Sequence, residues 1–542
     1  MQAARAQPRD ADWAACEQVQ DSGRKIDGCT AVLDRGTRES ARNRALALTN
    51  RGVAHQSRGD LDAAMRDFDQ AIRLDPRNAV AHGSRGTVHA ARGDLDAALR
   101  DLNDSIRLDP ADARVFNARG IVFQRRGDLH AALRDANEAI RLDPRSTAFF
   151  RNRGRAHRSL GDRMAAVADF SEAIRLDPRD RFALIERGVT HASLGDLDAA
   201  IRDYDEALRI APTDELTLNN RGIAHTNRGD LEAAMRDFNE TLRLNPDNGS
   251  ALTHRGIVQS QRGDLDAAMR DLDEAIRRNP RNVLALLNRG VVFWKRGAPT
   301  EAMRDLDEAI KLDPRNAAAL VNRGRIHRSR GAFDAALQDY DAAIRLDPRR
   351  ALAFIHRAYL HRERADLDAA LRDFDEAIRL APRNALAFTG RGSVRAARGE
   401  DEAALRDFAE AIRLDPDFAL AYVNRGIAYW GRGDTDRAMR DYDEAIRLDP
   451  GLGLAFASRG AALLRRGDLE AARRDLAEAT RLGARDAEAD LAAMKRQIAK
   501  TRRNPPATDA AQALDDEART RAAERLRRSA DTLLLELERF RF

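Results

Sequence analysis

Residues 45–78 read ALALTNRGVAHQSRGDLDAAMRDFDQAIRLDPRN, and this 34-residue phrase recurs through residue 486 without an insertion. A fixed period of this length is the mark of a repeat architecture. Thirteen phrases align on the glycine of the N-R-G segment: Gly52, Gly86, Gly120, Gly154, Gly188, Gly222, Gly256, Gly290, Gly324, Gly392, Gly426 and Gly460, with Ala358 the one departure. Proline follows 24 residues later in twelve of them, from Pro76 to Pro450, and Ala484 replaces it in the last. Repeats are numbered 1–13 below, each beginning seven residues before this glycine position.

Each phrase holds two short helical patterns. In the first, Leu48 and His55 flank Gly52 on one face at helical spacing. Arg58-Gly59-Asp60 then breaks the pattern: glycine tolerates the positive φ that ends a helix, and aspartate caps the next one. The second pattern places Ala64, Phe68 and Ala71 in a small–large–small stripe, and Asp75-Pro76 ends it because proline cannot continue the hydrogen-bond ladder. Two antiparallel helices per repeat make the fold class all-α. A stack of such pairs has no single core, so the length of 542 residues does not imply several globular domains.

These residues resemble the tetratricopeptide repeat (TPR) signature, W-x2-L-G-x2-Y…A-x3-F…P, over about four-fifths of the chain. The chain is similar to bacterial-type multi-repeat TPR proteins. Two positions depart from the signature. Leu, Phe, Tyr or His82 takes the Trp place, and arginine stands just before the glycine position in all thirteen repeats, Arg51 to Arg459. The resemblance implies an α-solenoid, a right-handed superhelix with a concave binding face. It places the second, fifth, sixth, ninth, twelfth and thirteenth residues of each first helix on that face.

The repeated arginine has a matching carboxylate: aspartate follows it by sixteen residues in every repeat, Asp67 to Asp475. The two positions fall on facing sides of a helical hairpin, so an Arg–Asp pair is expected within each repeat or across its neighbour. The guanidinium fork suits such a partly buried carboxylate better than lysine would.

Composition narrows the function. Basic and acidic side chains number 93 and 88, a net +5 that is nearly neutral at this length and gives little support to nucleic acid or anionic lipid as partner. No apolar run approaches the roughly 18 residues of a membrane span. Seven Arg-Gly-Asp triplets all fall at the inter-helix turn, where backbone geometry explains them. Seven of eleven histidines share one repeat position (His55, His89, His157, His191, His225, His327, His361), in the place of the signature's Tyr. They are at least 34 residues apart and read as packing groups rather than metal ligands. Nucleophile elbows, P-loops and dinucleotide fingerprints are absent, so neither a cofactor nor an enzymatic activity is expected.

Specificity must come from irregular positions on the concave face. Asparagine recurs at the sixth place, at Asn50, Asn152, Asn220, Asn288, Asn322 and Asn424. Its amide could bond an extended peptide or a neighbouring helix. Arginines cluster at Arg114, Arg125, Arg151, Arg155 and Arg158, and again at Arg325, Arg328 and Arg362. They could grip acidic or phosphorylated segments, or form a solvated face. Trp294 and Trp430 share the twelfth position and are expected to be accessible aromatic anchors. Lysine is nearly missing from the first helices, which removes the carboxylate clamp of some TPR co-chaperones.

Outside the repeats, residues 1–11 read as disordered and 12–44 as a degenerate helical hairpin cap holding Cys16 and Cys29. A bridge between them would add about 3 kcal/mol by loop closure. Similar bacterial TPR proteins with a leading cysteine pair are often exported, which favours a periplasmic or exported setting. The start as given carries no signal peptide and favours the cytoplasm. Residues 487–500 read as a capping helix, 501–510 as a linker with Asn504-Pro505-Pro506, and 511–542 as an amphipathic helix. Its stripe runs Leu514, Ala518, Ala522, Leu526, Ala530, Leu533, Leu537, Phe540, a seam expected to dock on the solenoid or to self-associate. The function expected is a non-enzymatic scaffold holding partner peptides or helices. The alternatives are a nucleic-acid-binding superhelix and a subunit presenting substrates to a separate enzyme.

Overall fold

The computed structural model describes residues 11–18, 20–484, 522–527 and 529–530. Among these residues there are helices and connecting turns but no strand, and the thirteen repeats form thirteen antiparallel helix pairs. The chain divides into two compact units, residues 1–251 and 252–542, the boundary falling inside the first helix of repeat 7 (Gly249–Gln261). Within each unit, successive pairs pack on one another as an α-solenoid.

Repeat 1 shows how the sequence builds a pair. Its first helix, Ala41–Ser57, is followed by Gly59 at φ +80°. The Asp60 side chain then accepts the Ala63 N–H and caps the second helix, Leu61–Leu74. Ala64, Phe68 and Ala71 are wholly buried. A Cβ at Gly52 would lie 2.7 Å from the Phe68 ring, so the helices close only because this residue is glycine. Burying one such ring contributes about 2–3 kcal/mol, and the pattern recurs along the chain.

The expected Arg–Asp pair forms in both senses. Arg221 donates from Nε to Asp237 Oδ2 at 2.9 Å and from Nη2 to Oδ1 at 2.6 Å. Its remaining Nη1 reaches back to Asp205 of the preceding repeat at 2.6 Å. Arg289, Arg323, Arg357, Arg391 and Arg459 repeat this three-bond arrangement. Arg119 and Arg153 use Asn103 and Asn137 as the third partner, and Arg187 uses Ser171. In repeat 12 the third position is Ala409, and Arg425 forks onto Asp441 alone.

The histidine position is half-buried in most repeats, with the ring 3.8 to 4.0 Å from the same aspartate in His89, His157, His191, His225, His327 and His361. Environment tunes these aspartates. Burial pushes Asp101 up, but the Arg85 fork, with the His82 ring 3.8 Å away, outweighs it and holds the carboxyl at about 2. Asp441 has no histidine beside it, and burial raises its pKa.

Repeat 10 has alanine at both glycine positions, Ala358 and Ala365, and keeps the turn between its helices. Ala365 adopts φ +61°, alone among the described non-glycine residues in taking a positive φ. Ahead of repeat 1, helices Ala11–Gln18 and Ser22–Asp34 are joined by a Cys16–Cys29 disulfide with Cα atoms 4.5 Å apart. Trp13, Val32 and Ala47 pack around it. The expected 487–500 cap, the 501–510 linker and most of the 511–542 helix lie outside the described residues.

Candidate functional site

The first helices carry the irregular residues, and in repeats 7 to 10 these converge. A cavity of about 170 Å³ is lined by Ile257, Leu287, Val291, Val321 and Leu352, with Asn288, Lys295, Asn322, Arg350 and His356 around them. All but Arg350 occupy second, fifth, sixth, ninth or thirteenth positions, the places the TPR resemblance assigns to the concave face. Lys295 donates to the Ser260 carbonyl at 3.0 Å. Burial, aided by the nearby Arg325 charge, lowers its ammonium pKa. The lining joins apolar side chains to cationic and amide groups, a combination that binds an amphipathic peptide or helix. Composition alone did not single out this groove. Lys295 was its signal, because lysine is so scarce in the first helices.

Four of the six recurring asparagines donate hydrogen bonds within the fold. Asn288, Asn322 and Asn424 donate to carbonyls of their own helices, at Leu284, Ala318 and Leu420. Asn152 donates to Asn117 Oδ1 of the preceding repeat at 2.8 Å. Asn50 and Asn220 are half-buried in their first helices.

The arginines of repeats 3 and 4 are held by bonds within the fold. Arg155 Nε lies 2.7 Å from Glu186 Oε1, and Arg158 Nη1 lies 2.6 Å from Glu186 Oε2. Arg151 pairs with Asp180 at 3.3 Å and stands over the Phe182 ring. Arg114 folds onto Asp112, and Arg125 donates to the Ala90 carbonyl. The sequence held the signal for this: Glu186 is the one carboxylate at a sixth position. In the second cluster, Arg325 is buried and donates to Asn322, while Arg328 faces Glu363 at 3.7 Å and the Tyr359 ring. Arg362 lies on the same first helix as His356 (Ala351–Glu363).

The expected accessibility of the tryptophans needs correction. Trp294 is half-buried, and Trp430 is only 1% exposed. Trp430 shares an apolar cluster with Ala523, Leu526 and Ala530, nearly a hundred residues later.

Comparison with known proteins agrees with this architecture. The sequence model described as "Tetratricopeptide repeat" matches residues 117–162, 151–215, 219–272, 255–307 and 301–351. A second model of that description matches 45–78 and 419–452, and one described as "TPR repeat" matches 392–433. Comparison with curated proteins finds no match. Among solved structures, the chain is similar to one in the APC/C hetero-tetramer Cut9–Hcn1, at 16% identity and a TM-score of 0.56, covering 90% of this chain and 94% of that one. A TPR protein from Parabacteroides merdae (22% identity, TM-score 0.41) covers 45% of this chain and 96% of its own. Yeast Tom70 (19% identity, TM-score 0.39) covers 78% of this chain and 96% of its own.

Proposed function

Because the chain belongs to the tetratricopeptide repeat family, whose members generally mediate protein–protein interactions, we propose that it is a non-enzymatic scaffold receiving a partner's peptide or helix in the groove of repeats 7 to 10. The observation that carries this reading is the groove lining: Ile257, Leu287, Val291 and Leu352 offer apolar contact beside Lys295 and Arg350. A segment presenting one apolar face and a carboxylate fits that chemistry. The pairing of Arg151, Arg155 and Arg158 with Asp180 and Glu186 counts against the nucleic-acid alternative.

The test is affinity capture with the whole chain, comparing wild type with Ile257→Asp and Leu352→Asp. Leu352 is 40% exposed, so its substitution leaves the helix pair intact. Loss of the captured protein in both variants supports the groove, and undiminished capture overturns it. Binding to RNA that falls steeply with salt would favour nucleic acid instead.

A further inference from the structure

Residues 522–527 and 529–530 lie against repeats 11 and 12. Ala523, Leu526 and Ala530 are 2%, 1% and 0% exposed and share one apolar cluster with Ile427 and Trp430. Arg527 Nη1 donates to the Ala396 carbonyl at 3.3 Å, and Nη2 to Asp401 Oδ1 at 3.4 Å. Ala396 is in the last turn of the first helix of repeat 11 (Ala385–Ala397), where the helix dipole favours a cation, and its carbonyl also accepts the Gly399 N–H.

A separate feature points the same way. The thirteenth position of the first helix is glycine only in repeat 12, at Gly431. A Cβ there would lie 3.2 Å from the Arg527 guanidinium and 3.7 Å from the Ala523 methyl. Glycine is unfavourable in a helix, and here it lets the terminal segment approach closely. Trp430, at the preceding position, belongs to the same apolar cluster as Leu526 and Ala523 and is 1% exposed.

We propose that the segment of Ala523, Leu526, Arg527 and Ala530 is a built-in occupant of the repeat 11–12 groove, closing it to a partner helix that presents the same alanine–leucine–arginine face. The proposal rests on the reading above that grooves in this chain receive protein segments. It concerns a different groove and is tested with the chain's own sequence. Two of the three docked apolar side chains are alanines, so the contact is small enough for a longer partner helix of this pattern to displace.

The experiment uses the full-length chain and the intrinsic fluorescence of Trp430, isolated by subtracting a Trp430→Phe control. Leu526→Asp is expected to raise acrylamide quenching of Trp430 at least threefold with the helical circular dichroism unchanged. A synthetic peptide of residues 520–532 (TRAAERLRRSADT) should restore the protection in that variant and bind wild type at least tenfold more weakly. Equal Trp430 quenching in wild type and variant, or equal peptide affinity for both, overturns the proposal. If Leu526→Asp lowers the helicity of the whole chain, Arg527→Ala carries the same comparison with the apolar face intact. A wild-type dimer that Leu526→Asp dissociates would overturn closure within one chain in favour of exchange between copies. Capture unaffected by Ile257→Asp and Leu352→Asp would leave this result standing.

Discussion

The Phe374 ring fills the space beside Gly390, where a Cβ would lie 2.4 Å from its Cζ atom. In repeats 1, 4, 5, 6, 9, 11 and 12 the equivalent ring presses on the glycine of its own repeat, as Tyr340 does on Gly324 and Phe408 on Gly392. Repeat 10 has Ala358 at that place, and its ring leans instead onto the sixth residue of repeat 11. Tyr359 meets the displaced ring edge-on, with centroids 5.1 Å apart. The alanine in one repeat and the glycine in the next are therefore a matched pair.

Gly390→Asn, which installs the side chain most common at this position, should destabilise the chain by about 1–3 kcal/mol through overpacking. In an Ala358→Gly background the ring can return to its own repeat, and the loss should shrink by at least half. Urea unfolding of the single and double variants reads the coupling, and additive losses would refute it.

Ala365→Gly should stabilise repeat 10. Alanine at φ +61° carries a left-handed penalty of about 1–2 kcal/mol, against about 0.5–1 kcal/mol of added backbone entropy for glycine. A net gain of about 0.5–1 kcal/mol is expected in urea unfolding, and a loss would show that the turn is held by something other than its backbone.

Arg221 should not be replaceable by lysine. Removing the guanidinium leaves the Asp237 carboxylate buried at 4% exposure without its fork, at a cost of about 3 kcal/mol, and a lysine ammonium cannot reach Asp237 bidentately while holding Asp205. A double-mutant cycle of Arg221→Ala with Asp237→Ala should show strong coupling; independent losses would be inconsistent with the geometry.

Acid should erase part of the repeat 2 contribution. Asp101 falls from an ordinary 3.8 to about 2 in the folded state, so its ionised form stabilises the fold above the unfolded pKa. That contribution, on the order of 2 kcal/mol, disappears as pH falls from near 4 toward 2. Asp101→Asn should therefore be less stable than wild type at pH 7 and equal to it near pH 2. A gap that persists at pH 2 would assign the effect to packing.

Reduction of Cys16–Cys29 should loosen the leading hairpin by about 3 kcal/mol, the loop-closure value for a bridge of this span. Trp13, 5% exposed beside the bridge, is the reporter: its emission should shift to the red on reduction, while the far-ultraviolet circular dichroism of the repeats stays unchanged.

Most of the architecture was legible because its causes are local and periodic. Gly59, Asp60 and Pro76 punctuate the helices through their own backbone chemistry, and the sixteen-residue spacing of Arg51 and Asp67 fixes which groups face each other. The candidate sites were less legible because their partners come from other repeats. The Arg155 and Arg158 positions look free until Glu186 of the next repeat is placed against them. Trp430 reads as an exposed anchor because part of its apolar cluster lies nearly a hundred positions downstream, in a segment whose register on the repeats no period sets. Gly431 was visible as an exception, but its meaning depends on Arg527.

Ala409 gives the missing third bond of Arg425 a mechanical meaning. Arg391 ties repeat 11 back to Asp375 and Arg459 ties repeat 13 back to Asp443, but the joint between repeats 11 and 12 has no such rivet. The segment holding Arg527 crosses that joint, bonding to Ala396 and Asp401 on one side and lying against Gly431 on the other. A ligand that displaced this strap would leave the joint with helix packing and the Ser393–Asn424 bond but no arginine tie.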